Sequence, residues 1–426
     1  MNDRMRCRVE GLGQPEDLLD QVAAHKLAPS LGAFVQWVLG RAMEDGISRL
    51  YFLARDGWFP YVLARQLCQG WKLPLECRYL FGSRYAWQLP LYHLDHQRAR
   101  RLLCKKSVAL TPEKILSQAG LSPEEQKLVF REMAVSSTAV LSQRERKAFE
   151  TNLSNCPQFW TYLDDHSRKA LPNLKGYFQQ VGLMEKVPWA LVDSGWMGST
   201  QETLAAGLQA FGWNGTPMGY YAGLYRGPKS GKWDCFFFHP GKKIAVQAFM
   251  EPSFFEGVFS APHGMTMGYK KEGERYVPVL KGLSDGEPWK RLGRVFQAYG
   301  ALLEKEGPPK SLLCQAQEER LDAWEALKQV MTRPSVEEAR VLGQLPFSDS
   351  PLEAQIAPLA DPLTEKQLGE NHLLPRLLLG TPEKTSAWLP GSGALYGKTP
   401  IKQFQAFDRV RFARVLFLAA RNYGHK

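Results

Sequence analysis

The chain has 426 residues, 44% of them hydrophobic, with 12 tryptophans, 22 phenylalanines and 15 tyrosines, enough for a large core and two or three packed modules. Its 54 Lys and Arg against 43 Asp and Glu leave a net charge of +11, which suits an anionic partner such as a polyphosphate or acidic lipid; the charges are scattered, so no polyanion-binding tail is expected. Seven cysteines, an odd number with no Cys-x-x-Cys pair, argue against a disulfide framework or a cysteine zinc site and for a reducing compartment.

The first residues lack an apolar export segment, and no apolar run reaches the ~18 residues that span a bilayer, so a cytoplasmic protein is expected. Residues 1–27 are polar and carry little signal. Ser30 is the predicted cap of a helix through Phe34, Trp37 and Met43 that stops near Gly46. Ser48 to Ala54 reads as a buried strand ending in Arg55-Asp56-Gly57, and Pro60 suits the first turn of the helix after it. A second strand, Cys77 to Phe81, ends in Gly82-Ser83-Arg84. From 95 to 186 the pattern is helical, with helix-start signals at Thr111-Pro112 and Ser122-Pro123-Glu124-Glu125. Its basic residues are not gathered on one helix, so no nucleic-acid reader is expected. His93, Asp95 and His96 read as a polar loop rather than a metal site, for want of a third ligand at helical spacing.

The stretch from Trp189 to Glu202 carries the most chemistry. An apolar run leads into Asp193 and Ser194. A turn follows with Gly195, Trp196 and Gly198, and Ser199, Thr200 and Gln201 open a helix. A strand, a Gly-rich turn and a helix in that order can bind phosphate on the free N–H groups of the first helical turn. The alternative is structural: Ser199 and Glu202 have the spacing of a capping box, and the turn itself can require the glycines. Strands resume at Met218 to Leu224 and Trp233 to Phe238. The aromatic, Gly-rich stretch from Glu251 to Tyr269 is either an acceptor-side wall or a packed loop, and helices follow from about Gly282. In a parallel sheet the carboxyl ends of the strands share one edge. Arg55, Gly57, Ser83 and Arg84 on that edge suit a pyrophosphate, and Asp193 with Asp56 suits Mg2+ or general-base chemistry, with Glu256 as a further acid. A local Arg55–Asp56 ion pair is the structural alternative.

The strand-Asp-loop-Gly-Ser-Thr-helix at Leu191 to Leu204 resembles the phosphoribosyl pyrophosphate loop of phosphoribosyltransferases, with Ser194 in place of their second acid and Trp196 as an intruder. The wider set is Phe52 to Gly57, Ser83-Arg84, Val192 to Gln201, Glu256 and Gly268-Tyr269. It is similar to a family of bacterial polysaccharide-biosynthesis proteins, whose phosphoribosyltransferase-like module is often fused to or paired with a haloacid dehalogenase-like phosphatase. The resemblance covers roughly residues 27–270. It implies an α/β fold, a Rossmann-like parallel sheet of phosphoribosyltransferase type, with a helical insertion and a mainly helical C-terminal region. The core is then residues 1–94 and 187–280, the insertion 95–186 and the C-terminal region 281–426.

It further implies a glycosyltransferase that moves 5-phosphoribofuranose from phosphoribosyl pyrophosphate, with Mg2+, to a hydroxyl of a lipid-linked glycan in polysaccharide or O-antigen biosynthesis, and a phosphatase partner. Two rivals remain: a phosphohydrolase with Asp56 as nucleophile, and a non-catalytic module that binds phospho-sugars in a glycan-assembly complex. The segment from Lys402 to Lys426 alternates basic and apolar residues. It reads either as a helix closing the core, the preferred reading, or as a peripheral contact with the inner membrane face.

Overall fold

Five short apolar runs pair as one parallel sheet in the computed structural model, which describes all residues except 14, 16, 106–109, 136–138, 284–285, 349–350, 354–355, 372–385 and 397–426. The basic C-terminal stretch from Lys402 to Lys426 therefore lies outside the described residues. The N-terminal region is more structured than its polarity suggests. Helices α1 (Asp3–Gly11) and α2 (Leu18–Val22) lead through a π-helical turn at Ala23–Leu27 into α3 (Ala28–Glu44). Because that turn runs directly into α3, Ser30 is not its cap. Its hydroxyl lies inside the helix and donates to the Ala323 carbonyl at 2.7 Å.

The sheet is built from β1 (Arg49–Leu53), followed by α4 (Trp58–Gly70); β2 (Glu76–Leu80), followed by α5 (Arg84–Gln88); β3 (Trp189–Trp196), followed by α11 (Ser199–Ala210); β4 (Met218–Leu224); and β5 (Lys232–Phe238). The strand order is β2-β1-β3-β4-β5, all parallel. Strand β1 is buried at every position, as a strand covered on both faces must be. The period-two alternation divides its side chains. Leu50 and Phe52 join Val192, Tyr220 and Phe236 under α3 and α4, while Tyr51 and Leu53 join Leu80, Leu191 and Leu204 under α5 and α11. Each such side chain contributes roughly 1.5–3 kcal/mol by leaving water.

Between α5 and β3 the described residues form five further α-helices: α6 (His96–Leu103), α7 (Pro112–Gln118), α8 (Pro123–Glu132), α9 (Gln143–Ser154) and α10 (Pro157–Gln180). They enclose their own apolar cluster, including Leu103, Ile115, Val129, Phe149 and Phe159. The Ser122–Glu125 capping box forms as its spacing predicts, and Thr111 caps α7. His93 bonds Ser167 and His96 bonds Asp164, while Asp95 caps α6.

After β5 come α12 (Ile244–Phe249), α13 (Pro252–Val258) and a separate antiparallel hairpin of β6 (Thr266–Glu272) and β7 (Arg275–Leu280). Helices α14 (Glu287–Glu306), α15 (Leu312–Thr332) and α16 (Val336–Gly343) complete the larger cluster, so these described helices of the C-terminal third share a core with the sheet. Arg8, 2% exposed, ties the N-terminus to it: its guanidinium donates to Glu306 at 2.7 and 2.9 Å and to Glu319 at 2.8 Å.

Candidate active site

In the order β2-β1-β3-β4-β5 the direction of winding reverses between β1 and β3. Phe59 and Leu63 of α4 pack on one face of the sheet, Leu204 and Leu208 of α11 on the other. The helices leaving the two strands thus diverge and open a crevice at their carboxyl ends, the usual ligand position in doubly wound sheets. Asp56 lies just past β1 and Asp193 near the end of β3. The Ser194 hydroxyl donates a short hydrogen bond to Asp56 across the crevice. Glu256 reaches the same place from α13.

The three carboxyls sit in one electrostatic environment. Burial raises the Asp56 pKa, against the Ser194 hydrogen bond and the charge of Arg55. Asp193 is pushed well above the ordinary carboxylate range, by burial first and then by the charges of Asp56 and Glu256. Glu256 is raised to about 8 by burial and by Asp56, opposed by Arg84, the Trp196 indole and Arg55. Environments of this kind are costly in stability and cluster at functional sites. Among the described residues no group of three or more His, Cys, Asp or Glu side chains is arranged to hold a metal. A magnesium ion needs only one or two protein carboxylates, and two mutually repelling acids in a buried crevice fit that requirement.

The turn after β3 is shaped by protein packing. Gly195 has φ of +110°, and a Cβ there would stand 2.5 Å from the Gly223 carbonyl oxygen. Gly198 has φ of +63°, and its Cβ would meet the Pro228 nitrogen at 2.6 Å. The space a side chain would need is thus filled at Gly195 by β4 and at Gly198 by the loop after it, which agrees with the structural alternative that the turn itself requires the glycines. The Ser199–Glu202 capping box does not form either. Gly198 is the N-cap of α11, without a side-chain cap bond, and the Glu202 carboxylate accepts instead from the Lys229 N–H at 3.0 Å. The first turn of α11 therefore keeps its donors: the Ser199 and Thr200 hydroxyls, both half-buried, stand beside backbone N–H groups that no side chain caps.

Several predicted ligand contacts are engaged within the protein. Gln201 is fully buried; its amide donates to the carbonyls of Ser230 and Lys232 and accepts from the Tyr221 hydroxyl, clamping α11 to the sheet. The Ser83 hydroxyl accepts from the Ala86 N–H and donates to the Thr266 carbonyl, capping α5 and holding β6. Gly57 lies tight against Leu53. Arg55 does not pair with Asp56. Its partner is Glu353, at 2.6 Å and 7% exposed, brought in by the C-terminal third. Exposed Arg84, at the start of α5, acts on Asp193 and Glu256 through its charge.

Glu353 carries no local sequence signal. Tyr79 and His263 were also missed: the Tyr79 hydroxyl and His263 Nε2 are 2.8 Å apart, and His263 Nδ1 donates to the Gly264 carbonyl. With Trp58 and Phe81 they form an aromatic wall beside Arg55, so His263 and Glu256 bring the stretch from Glu251 to Tyr269 to the same place as Arg55 and Asp56. A cavity of about 1130 Å³ around Trp189, Trp213 and Trp233 opens at the opposite, amino-terminal edge of the sheet. Asp56, Asp193 and Glu256 do not line it. The chain matches no protein-family model and no curated protein.

Proposed function

We propose that this protein is a phosphoribosyltransferase-type glycosyltransferase that moves 5-phosphoribofuranose from phosphoribosyl pyrophosphate to a hydroxyl of a lipid-linked glycan. The observation that carries the reading is the meeting, at one sheet edge, of the uncapped start of α11 with the Asp56–Ser194 contact. In this reading the 5-phosphate accepts from the Ser199 and Thr200 hydroxyls and the backbone N–H groups beside them. Arg84 and the free edge of Arg55 hold the pyrophosphate, which suits their bidentate geometry. Asp56 and Asp193 would hold magnesium, which when bound neutralises charge on the leaving pyrophosphate.

As the C1–O bond to pyrophosphate breaks, positive charge develops on the ribose ring. A fixed carboxylate such as Asp193 stabilises it without reorganisation. The acceptor hydroxyl attacks from the opposite face and loses its proton to Asp56 or Glu256. The product is a β-ribofuranoside 5-phosphate, the natural substrate of a partner phosphatase. The phosphohydrolase reading is disfavoured by Trp58: it stands two residues beyond Asp56, where a hydrolase needs its second acid, and packs on Tyr79. A purely binding module has no use for three carboxyls held at a cost in stability. The test is incubation with labelled phosphoribosyl pyrophosphate, magnesium and a panel of lipid-linked glycans. Pyrophosphate release that depends on acceptor supports the reading, and equal thermal stabilisation by nucleotide sugars overturns the donor.

A further inference from the structure

The amino-terminal edge of the sheet is open as well. The cavity of about 1130 Å³ lies there, walled by Ile47, Met184 and Met218 and by Trp189, Trp213 and Trp233. A smaller cavity of about 270 Å³ adjoins it. Residues 213–216, in the loop before β4, line both, so the two form a groove that runs past that loop. Pockets for a single small ligand measure roughly 300–1,000 Å³, so the groove has room for an extended one. Trp189 opens β3 and Asp193 lies four residues on, about 13 Å away at the rise of a strand. Ala190, Leu191 and Val192, all fully buried, lie between them, so the groove and the crevice are separate.

The charge on its lining is unevenly committed. Each of the three lining carboxylates already has partners. Asp45 accepts from the Tyr220 hydroxyl at 2.7 Å and lies 3.5 Å from Arg41. Asp234 meets Arg41 at 3.1 Å and His239 at 2.7 Å, and Glu185 meets Arg49 at 2.8 Å. Lys186 and Lys232, both exposed, have no ion-pair partner among the described residues. The side chains of Asn214 and Thr216 and the indole N–H groups of Trp213 and Trp233 likewise make no hydrogen bond among the described residues. The groove thus offers free donors and two free positive charges, while its carboxylates are taken.

Those groups select the ligand. A small inorganic anion would meet the lysines and leave the apolar wall unused. A nucleobase needs an open aromatic face, and Trp213 is covered on both sides: its ring stacks on Trp189, centroids 5.4 Å apart, and a Cβ on Gly215 would stand 2.2 Å from it. An oligosaccharide brings hydroxyl and ring oxygens for the donors and C–H faces for the apolar wall, and uronate carboxylates answer the lysines. We infer that this groove binds an acidic oligosaccharide, with Lys186 and Lys232 on its carboxylates and Asn214, Thr216 and the two indole N–H groups on its hydroxyls. The site stands apart from the transferase reading, since it needs neither phosphoribosyl pyrophosphate nor the acids of the crevice.

The test is calorimetry on the full chain, without donor or magnesium. Trigalacturonate is the probe, with maltotriose and inorganic tripolyphosphate as controls. Trigalacturonate should bind, and raised salt should weaken it. Lys186→Glu combined with Lys232→Glu should weaken it by about tenfold or more. Lys127→Glu combined with Lys147→Glu, the same charge change placed on the helical insertion, should leave it unchanged. Asn214→Ala should cost about threefold or more. These positions are all exposed, so the variants keep the core intact. Maltotriose, which has no charge for the lysines, should bind about tenfold more weakly or less. Absence of binding by trigalacturonate overturns the inference. So does equal binding of maltotriose, an equal loss from both double variants, or tripolyphosphate that binds as tightly through the same two lysines. None of these outcomes bears on the donor, which the incubation with labelled phosphoribosyl pyrophosphate tests separately.

Discussion

Replacing Glu256 by Gln should make the protein more stable, and the gain should grow with pH. Burial and the neighbouring Asp56 lift the Glu256 carboxyl from its ordinary 4.5 to about 8. A carboxyl raised in this way binds its proton more tightly in the folded chain than in the unfolded one. The Glu256 contribution to wild-type stability therefore falls as pH climbs from about 4.5 to about 8 and is level on either side. At 1.36 kcal/mol per pH unit the full interval is worth roughly 5 kcal/mol. Water reaching the half-buried carboxyl screens this to about 2 kcal/mol. Gln keeps the shape and carries no charge, so the variant escapes the penalty and should melt roughly 2–4 °C above wild type near pH 9. The two should converge near pH 5. Thermal melts of both proteins across that range, without magnesium, give the result. Parallel curves would refute the reasoning, because they would mean the folded protein does not hold Glu256 above its ordinary range.

Asp56→Asn keeps the shape of the residue bonded by Ser194 but removes its charge; transfer should fall by about 10²-fold in single-turnover assays while phosphoribosyl pyrophosphate still raises the melting temperature. Gly198→Ala forces a side chain into a left-handed turn against Pro228, which should cost about 1–3 kcal/mol in urea titration and weaken that thermal response. Glu353→Gln releases Arg55 from a buried counter-charge and should tighten inorganic pyrophosphate binding by about fivefold in calorimetry, an effect that high salt reduces. Arg8→Met leaves Glu319 buried without its partner and should destabilise by about 3–5 kcal/mol in the same titration. Adding Glu319→Gln should recover part of the loss.

Local chemistry made much of the architecture legible. The apolar runs ahead of Asp56 and Asp193 are buried strands because a sheet covered on both faces needs such runs, while the run ahead of Ser83 forms the half-buried edge strand β2. The Ser122–Glu125 capping box closes on itself within one helical turn, so its four residues suffice to specify it. The convergence of Asp56, Asp193 and Glu256 was foreseeable in part, since parallel strands share an edge; the arrival of Glu256 from α13 was not implied by strand order.

Other outcomes were set by residues far away in the chain. Ser199 and Glu202 have the spacing of a capping box, yet Lys229 claims the glutamate and Gly198 takes the cap position. Ser30 satisfies a carbonyl nearly 300 residues on, and Gln201 spends its amide on the loop before β5. Glu353 reaches Arg55 from a region with no helical or strand signature. In each case a polar group had more than one partner of comparable strength. A single hydrogen bond is worth only about 1 kcal/mol net, so spacing along the chain does not decide between them. Packing does: burial removes water as a competitor, and whichever donor and acceptor the tertiary fold brings together must pair.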